Sequence, residues 1–215
     1  KPGLGGERAV YGAAVHVSPD GTPAEVYHKL RLMPFGETIP LADVIPGLRP
    51  LLRWWIPQIS EFDRGTEPVV FPVAPGVVLA PMICFDATVQ EVARAMTRKG
   101  ATLGLVLANL AWFGQTSIDA QFGLYVRFRA LENRLPLLLL SQNGASLLYG
   151  RTGRTSQTRE SNLGQFEKGV WDETLRLHPA GSFFSRHAEG VQSVYVLALC
   201  GLLLWRFWPL RVRRT

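Results

Sequence analysis

At 215 residues, 47% of them hydrophobic and 19% charged, the chain is long enough for one core-bearing domain with an appendage. Its net charge is +6, and part of the basic excess falls late, in Arg151, Arg154, Arg159, Arg206, Arg211, Arg213 and Arg214. That placement suits an anionic membrane surface rather than a nucleic-acid groove, and no RNA or DNA motif occurs. The two cysteines, Cys84 and Cys200, are expected to be free thiols, because pairing would bring a buried strand end to a greasy helix. The four histidines lack metal-ligand spacing, and there is no Gly-rich nucleotide loop. The start, Lys1-Pro2-Gly3-Leu4, carries no signal peptide and reads like the middle of a longer chain.

In chain order, Val10 to Val17 is apolar with small residues and predicts a strand. Ser18 to Pro23 is a turn by composition, and Glu25 to Leu32 predicts the returning strand of a hairpin. Met33 to Leu41 is a loop punctuated by Pro34, Gly36 and Pro40. Leu48 to Ile59 is an apolar stretch with Trp54, Trp55 and two arginines. It reads either as a lid packed on the domain or as an element lying at a membrane interface. Val69 to Val73 and Val77 to Ile83 predict two strands around the turn at 74–76. Thr88 to Lys99 has the helical spacing Val89, Val92, Ala93, Met96, with Thr88 and Glu91 as a capping box and Gly100 as the stop. Leu103 to Ala108 predicts a buried strand, Gln121 to Asn133 a helix, and Leu135 to Ser141 with Ala145 to Tyr149 two more strands. This alternation indicates a layered α/β domain. Thr152 to Asn162 is polar and reads as a loop.

The C-terminal region differs. Val194 to Trp205 has no charged residue, Tyr195, Trp205 and Trp208 bracket it, and the arginines follow on one side only. A span needs about 20 apolar residues, and a snorkelling Arg206 at the end makes the length adequate. The expectation is one membrane helix over 191–210, a basic cytoplasmic tail over 211–215, and the remainder, 1–190, on the outer side.

Chemistry centres on Val77 to Asp86, an apolar run that ends on Cys84. Open α/β sheets place their sites at the carboxyl ends of strands. A thiol there, on a sharp bend into a helix, is either a nucleophile or a small buried hydrophobe. The Phe85 N–H would face a developing oxyanion. A nearby lysine would lower the thiol pKa and stabilise a tetrahedral oxyanion; Lys29 is the candidate, with Glu37 to pair with and orient it. His28 beside it is rejected as a base, since strand alternation turns it to the opposite face.

Taken together, Lys29-x-x-x-x-Pro34-Phe35-Gly36-Glu37, Ile83-Cys84-Phe85-Asp86, Asn109-x-Ala111-Trp112-Phe113-Gly114, the stretch Arg127 to Arg134 and Asn143-Gly144 resemble the nitrilase, or carbon–nitrogen hydrolase, superfamily. Within it the chain is similar to the apolipoprotein N-acyltransferases, over about Val10 to Tyr149 and more loosely through the final helix. The resemblance implies a partial nitrilase-like α-β-β-α sandwich followed by one C-terminal transmembrane helix, with a Glu–Lys–Cys triad. It implies Cys84 as nucleophile, Lys29 as oxyanion stabiliser and Glu37 as the glutamate that holds the lysine. Phe85, Asp86, Asn109 and Trp112 take substrate-binding positions. No cofactor is implied. The implied partners are a phospholipid acyl donor, a lipoprotein acceptor and a membrane, and the implied location is the bacterial inner membrane with the domain facing the periplasm. The alternatives are an amidase or nitrilase acting on small C–N substrates, and a non-catalytic remnant.

The departures are specific. The triad glutamate, which the family carries on a strand upstream of the lysine, is unmatched: Glu7 is too close to Lys29. The family's upstream membrane helices find no counterpart either, so the resemblance covers the family's C-terminal portion. Asp86 stands where glutamate is usual, Leu110 where aspartate is usual, and Gly12-Ala13 where Asn-Ser is common.

Overall fold

A computed structural model describes residues 9–42, 44–56, 59–114, 116–142, 144–155, 162–163, 169–170, 172 and 174–212, with side chains omitted at 112, 162–163 and 207–212. Glu7, Asn143 and Arg159 lie outside the described residues.

Two sheets carry the domain. The first hairpin pairs β1 (Ala13–Val17) antiparallel to β2 (Pro23–His28), with Ala13 opposite His28. The second sheet has six strands in sequence order: β3 (Phe71–Ala74), β4 (Val77–Ile83), β5 (Leu103–Asn109), β6 (Leu137–Gln142), β7 (Ser146–Tyr149) and β8 (Asn162–Leu163). Its middle strands β4, β5 and β6 are parallel, so Ile83, Leu107 and Leu140 stand in register and the three carboxyl ends share one edge. The outer pairings are antiparallel. The centre reads as continuous apolar runs because parallel strands are covered on both faces.

Helices α2 (Gln90–Arg98) and α3 (Ile118–Asn133) pack on the six-stranded sheet, and the hairpin β1–β2 approaches it at β4. The arrangement is a nitrilase-like α/β fold in which helix layer, large sheet and small sheet form the expected partial sandwich. Met82, Val106, Leu137 and Leu139 from the strands meet Val92, Met96, Val126 and Ala130 from the helices in one buried core. Gly100 ends α2 with φ 88, a left-handed conformation that glycine takes without steric cost.

The expected capping box at the start of α2 does not form. The helix begins at Gln90 behind Val89, whose side chain cannot cap, and the Thr88 hydroxyl donates to the Phe85 carbonyl at 2.8 Å instead. The short 3-10 turn Cys84–Thr88 takes the place of the first helical turn and uses that hydroxyl for its own closure.

Helix α1 (Leu48–Trp55) buries none of its residues. Trp54 and Trp55 are 81% and 73% exposed, so neither lies packed against the domain. The carboxylate of Glu61 holds the helix, paired with Arg49 and, at 2.6 Å, with Arg53.

The last helix, α4 (Phe183–Val212), starts eight residues before the expected span. The reason lies in its first two turns, which dock on the domain. Ser185 and Ala188 are buried, Arg94 and Arg98 of α2 reach Glu189 at 2.8 and 3.0 Å, and Arg98 donates to the Ser185 carbonyl at 2.9 Å. The part Phe183–Arg206 is long and apolar enough to cross a membrane, by length and composition. Beyond the docked turns its side chains are bare: Leu197, Leu204 and Trp205 are all more than 70% exposed.

Candidate active site

The three predicted catalytic side chains meet in one cavity of about 750 Å³ at the carboxyl edge of the large sheet. Lys29 follows β2 directly and is buried; its Nζ lies 2.7 and 2.6 Å from the two Glu37 carboxylate oxygens. Glu37 reaches it because the Pro34-Phe35-Gly36 turn folds the chain back: the Glu37 N–H donates to the Met33 carbonyl, and the Met33 N–H donates to Glu37 Oε2 at 2.8 Å. With both oxygens engaged on Lys29, Glu37 is set up to hold the ammonium rather than to exchange protons with a substrate.

Cys84 sits immediately after β4 with φ 47. A non-glycine residue in this region is uncommon, and such conformations cluster at functional sites. The bend turns the sulfur into the cavity, where the backbone N–H groups of Phe85 and Asn109 reach it. The expectation that Lys29 would leave the thiol with a lowered pKa is not met. Burial pushes the Cys84 thiol up, and the pull of the Lys29 ammonium, itself countered by Glu37, is the smaller effect. The thiol is therefore protonated at neutral pH.

The remaining lining is mostly apolar: Met33, Phe35, Ile56, Phe62, Ile83, Leu107, Phe113 and Leu140, with Ser60 and Asn109 as polar points. Asn109 stands at the end of β5, and its side-chain carbonyl accepts the Ala111 N–H at 3.1 Å, which shapes the turn Ala111–Phe113. Trp112 lies on that turn. Phe85 and Asp86 do not line the cavity among the described residues. Phe85 follows the thiol into the 3-10 turn and offers its N–H, whereas Asp86 is fully buried behind it. Phe35 and Phe113 fall in the quoted motifs without a role of their own, Ile56 falls in the stretch read as a lid or an interface element, and nothing in the sequence singles out Ser60 or Phe62. An aromatic within Trp112-Phe113-Gly114 was the available signal for Phe113. His28 does not line the cavity and stacks on Tyr11 with ring centroids 4.2 Å apart. No group of three or more His, Cys, Asp or Glu side chains able to hold a metal occurs among the described residues.

The carbon–nitrogen hydrolase family profile matches residues 4–182, which is most of the chain and includes every residue of this cavity. The chain belongs to the carbon–nitrogen hydrolase family. Among curated relatives, it is 29% identical to the apolipoprotein N-acyltransferase of Geobacter metallireducens over 185 residues, 86% of this chain and 34% of that one. It is 33% identical to the apolipoprotein N-acyltransferase of Vibrio parahaemolyticus over 183 residues, covering 85% and 34%. The chain thus spans about a third of the length of these relatives. Among solved structures, the carbon-nitrogen hydrolase of Helicobacter pylori G27 superposes with a TM-score of 0.51 at 21% identity, over 74% of this chain and 54% of that one. An amidase from Nesterenkonia sp. superposes with a TM-score of 0.50 at 23% identity, over 71% and 51%. At these identities the superpositions bear on fold alone. For a carbon–nitrogen hydrolase, the arrangement of a buried lysine, a glutamate fixed on it and a cysteine on a bend is chemically equipped for attack on a carbonyl carbon.

Proposed function

We infer that the chain carries the acyl-transfer site of an apolipoprotein N-acyltransferase-type enzyme, with Cys84 as the nucleophile. The observation that carries this reading is the apolar cavity in which the Lys29–Glu37 pair and Cys84 converge, in a chain whose curated relatives are named for that activity. In the first step the Cys84 sulfur attacks the ester carbonyl of a phospholipid. The C–O bond breaks, a thioester forms, and the thiol proton leaves on the lysophospholipid alcohol. In the second step the α-amine of a diacylglyceryl-cysteine lipoprotein attacks the thioester, forming an amide and returning the proton to sulfur. Lys29 and the N–H groups of Phe85 and Asn109 stabilise the oxyanion of each tetrahedral intermediate, and Glu37 keeps the ammonium in place. The cavity volume lies within the range of about 300–1,000 Å³ of small-molecule sites, and its lining suits an acyl chain.

The membrane context follows from the same reading. The exposed apolar length of α4 spans the bilayer, the residues after it are cytoplasmic, and the domain faces the periplasmic side of the inner membrane. Exposed Trp54 and Trp55 on α1, adjacent in sequence to the cavity-lining Ile56, suit contact with the lipid interface.

Incubation with a phospholipid carrying a labelled acyl chain tests the assignment. The wild type is expected to retain label as a hydroxylamine-sensitive thioester, and Cys84→Ala none. Equal labelling of both, or turnover of a small soluble amide without any labelling by phospholipid, would overturn it.

A further inference from the structure

The two halves of the site come from separate pieces of chain. Lys29 and Glu37 belong to the small sheet and its loop, Cys84 to the large sheet. The link between them lies behind the cavity wall. Tyr27, fully buried and two residues before Lys29, donates its hydroxyl to Asp86 Oδ2 at 2.7 Å. Asp86, fully buried and two residues after Cys84, also accepts the Arg31 N–H on Oδ1 at 2.7 Å and the Ile83 N–H on Oδ2 at 3.0 Å. One carboxylate therefore gathers donors from both sides of Lys29 and from the residue just before Cys84. Every one of these bonds restrains either the lysine segment or the strained bend at φ 47. Three donors on a buried carboxylate are worth more than their sum in a low-dielectric setting, and geometry enforced this way is stiff.

We propose that Tyr27 and Asp86 form a positioning pair that fixes the Cys84 bend against Lys29, setting the approach of nucleophile to ammonium across the gap between the two sheets. This rests on the reading of Cys84 and Lys29 given above. Neither partner touches the substrate; both act through the residues they hold. A purely structural pair would support folding without controlling the influence of Lys29 on the thiol.

Alkylation of Cys84 by iodoacetamide as a function of pH separates the two roles, in the 215-residue chain with Cys200→Ser in detergent. In that background Lys29→Met is expected to slow alkylation at neutral pH by about tenfold, the effect of one pKa unit. With Tyr27→Phe added, which removes only a hydroxyl, the same Lys29→Met change is expected to alter the rate less than about twofold, the coupling being lost. Asp86→Asn should behave likewise. An undiminished Lys29 effect in folded Tyr27→Phe protein would overturn the proposal. So would a parent chain whose alkylation ignores Lys29, and so would failure of Tyr27→Phe to fold, since that would make the hydroxyl a requirement of the fold. Because alkylation needs no phospholipid, a chain that shows the coupling but transfers no acyl group would count against the acyltransferase reading and leave the positioning pair standing.

Discussion

Cys84 is held in tension between desolvation and one nearby cation. Burial dominates, so its thiol titrates above the ordinary value of 9.0. A raised value means that the reactive thiolate is scarce at neutral pH and grows as pH rises. The alkylation rate of Cys84 should therefore climb through the alkaline range, with a midpoint above that of Cys84 in urea. Glu37 acts in the same direction as burial. Glu37→Gln is accordingly expected to move that midpoint down, towards faster alkylation at neutral pH, while acyl transfer falls because Lys29 loses the partner bonded at 2.6 and 2.7 Å. Opposite signs in the two assays would separate orientation of the lysine from ionisation of the thiol. The Lys29–Glu37 pair was legible in the sequence because its members stand only eight positions apart across a Pro-Phe-Gly turn. The net direction of the thiol was not, since it depends on how much water the fold removes. The Tyr27–Asp86 bond joins residues 59 apart, and nothing local in either segment announces it.

At the level of elements, apolar runs marked β4 and β5 closely because both are buried in a parallel sheet. Predictions weakened where one polar group had two possible partners. Thr88 served the turn behind Cys84 rather than the helix, and the start of α4 was set by Arg94 and Arg98 rather than by hydropathy. Gly104 on β5 shows the tightness of the central strands, because a Cβ there would overlap the side chain of Leu137 and press on Met82. Gly104→Ala should destabilise the fold by about 1–3 kcal/mol in urea titration. Met82→Ala, on the adjacent strand and fully buried, should cost about 2–5 kcal/mol. Helix α1 sits at the other extreme, with no buried residue and with Glu61 paired to its Arg49 and Arg53. Glu61→Gln should speed amide exchange over 48–55 while moving the global unfolding midpoint little, because the helix itself buries no residue.

For the molecule as a whole, the docking of α4 on α2 links the site to the long apolar helix. Arg98, at the end of α2, meets the Ser185 and Arg186 carbonyls and Glu189 of α4, and Arg94, one turn earlier, meets Glu189 as well. The docked turns tie the start of α4 to α2, and α2 follows the 3-10 turn that carries Cys84, so the long apolar helix and the site are joined through one helix. With the span inserted, the chain should resist extraction from membranes by alkaline carbonate, and truncation before Val191 should release it into the soluble fraction. A site tied to such a helix also changes which quantity governs turnover. The donor would be met by lateral diffusion within a two-dimensional sheet rather than by collision from bulk water. In mixed micelles the rate would then follow the mole fraction of phospholipid at the surface, and adding inert detergent at constant total phospholipid would slow the reaction.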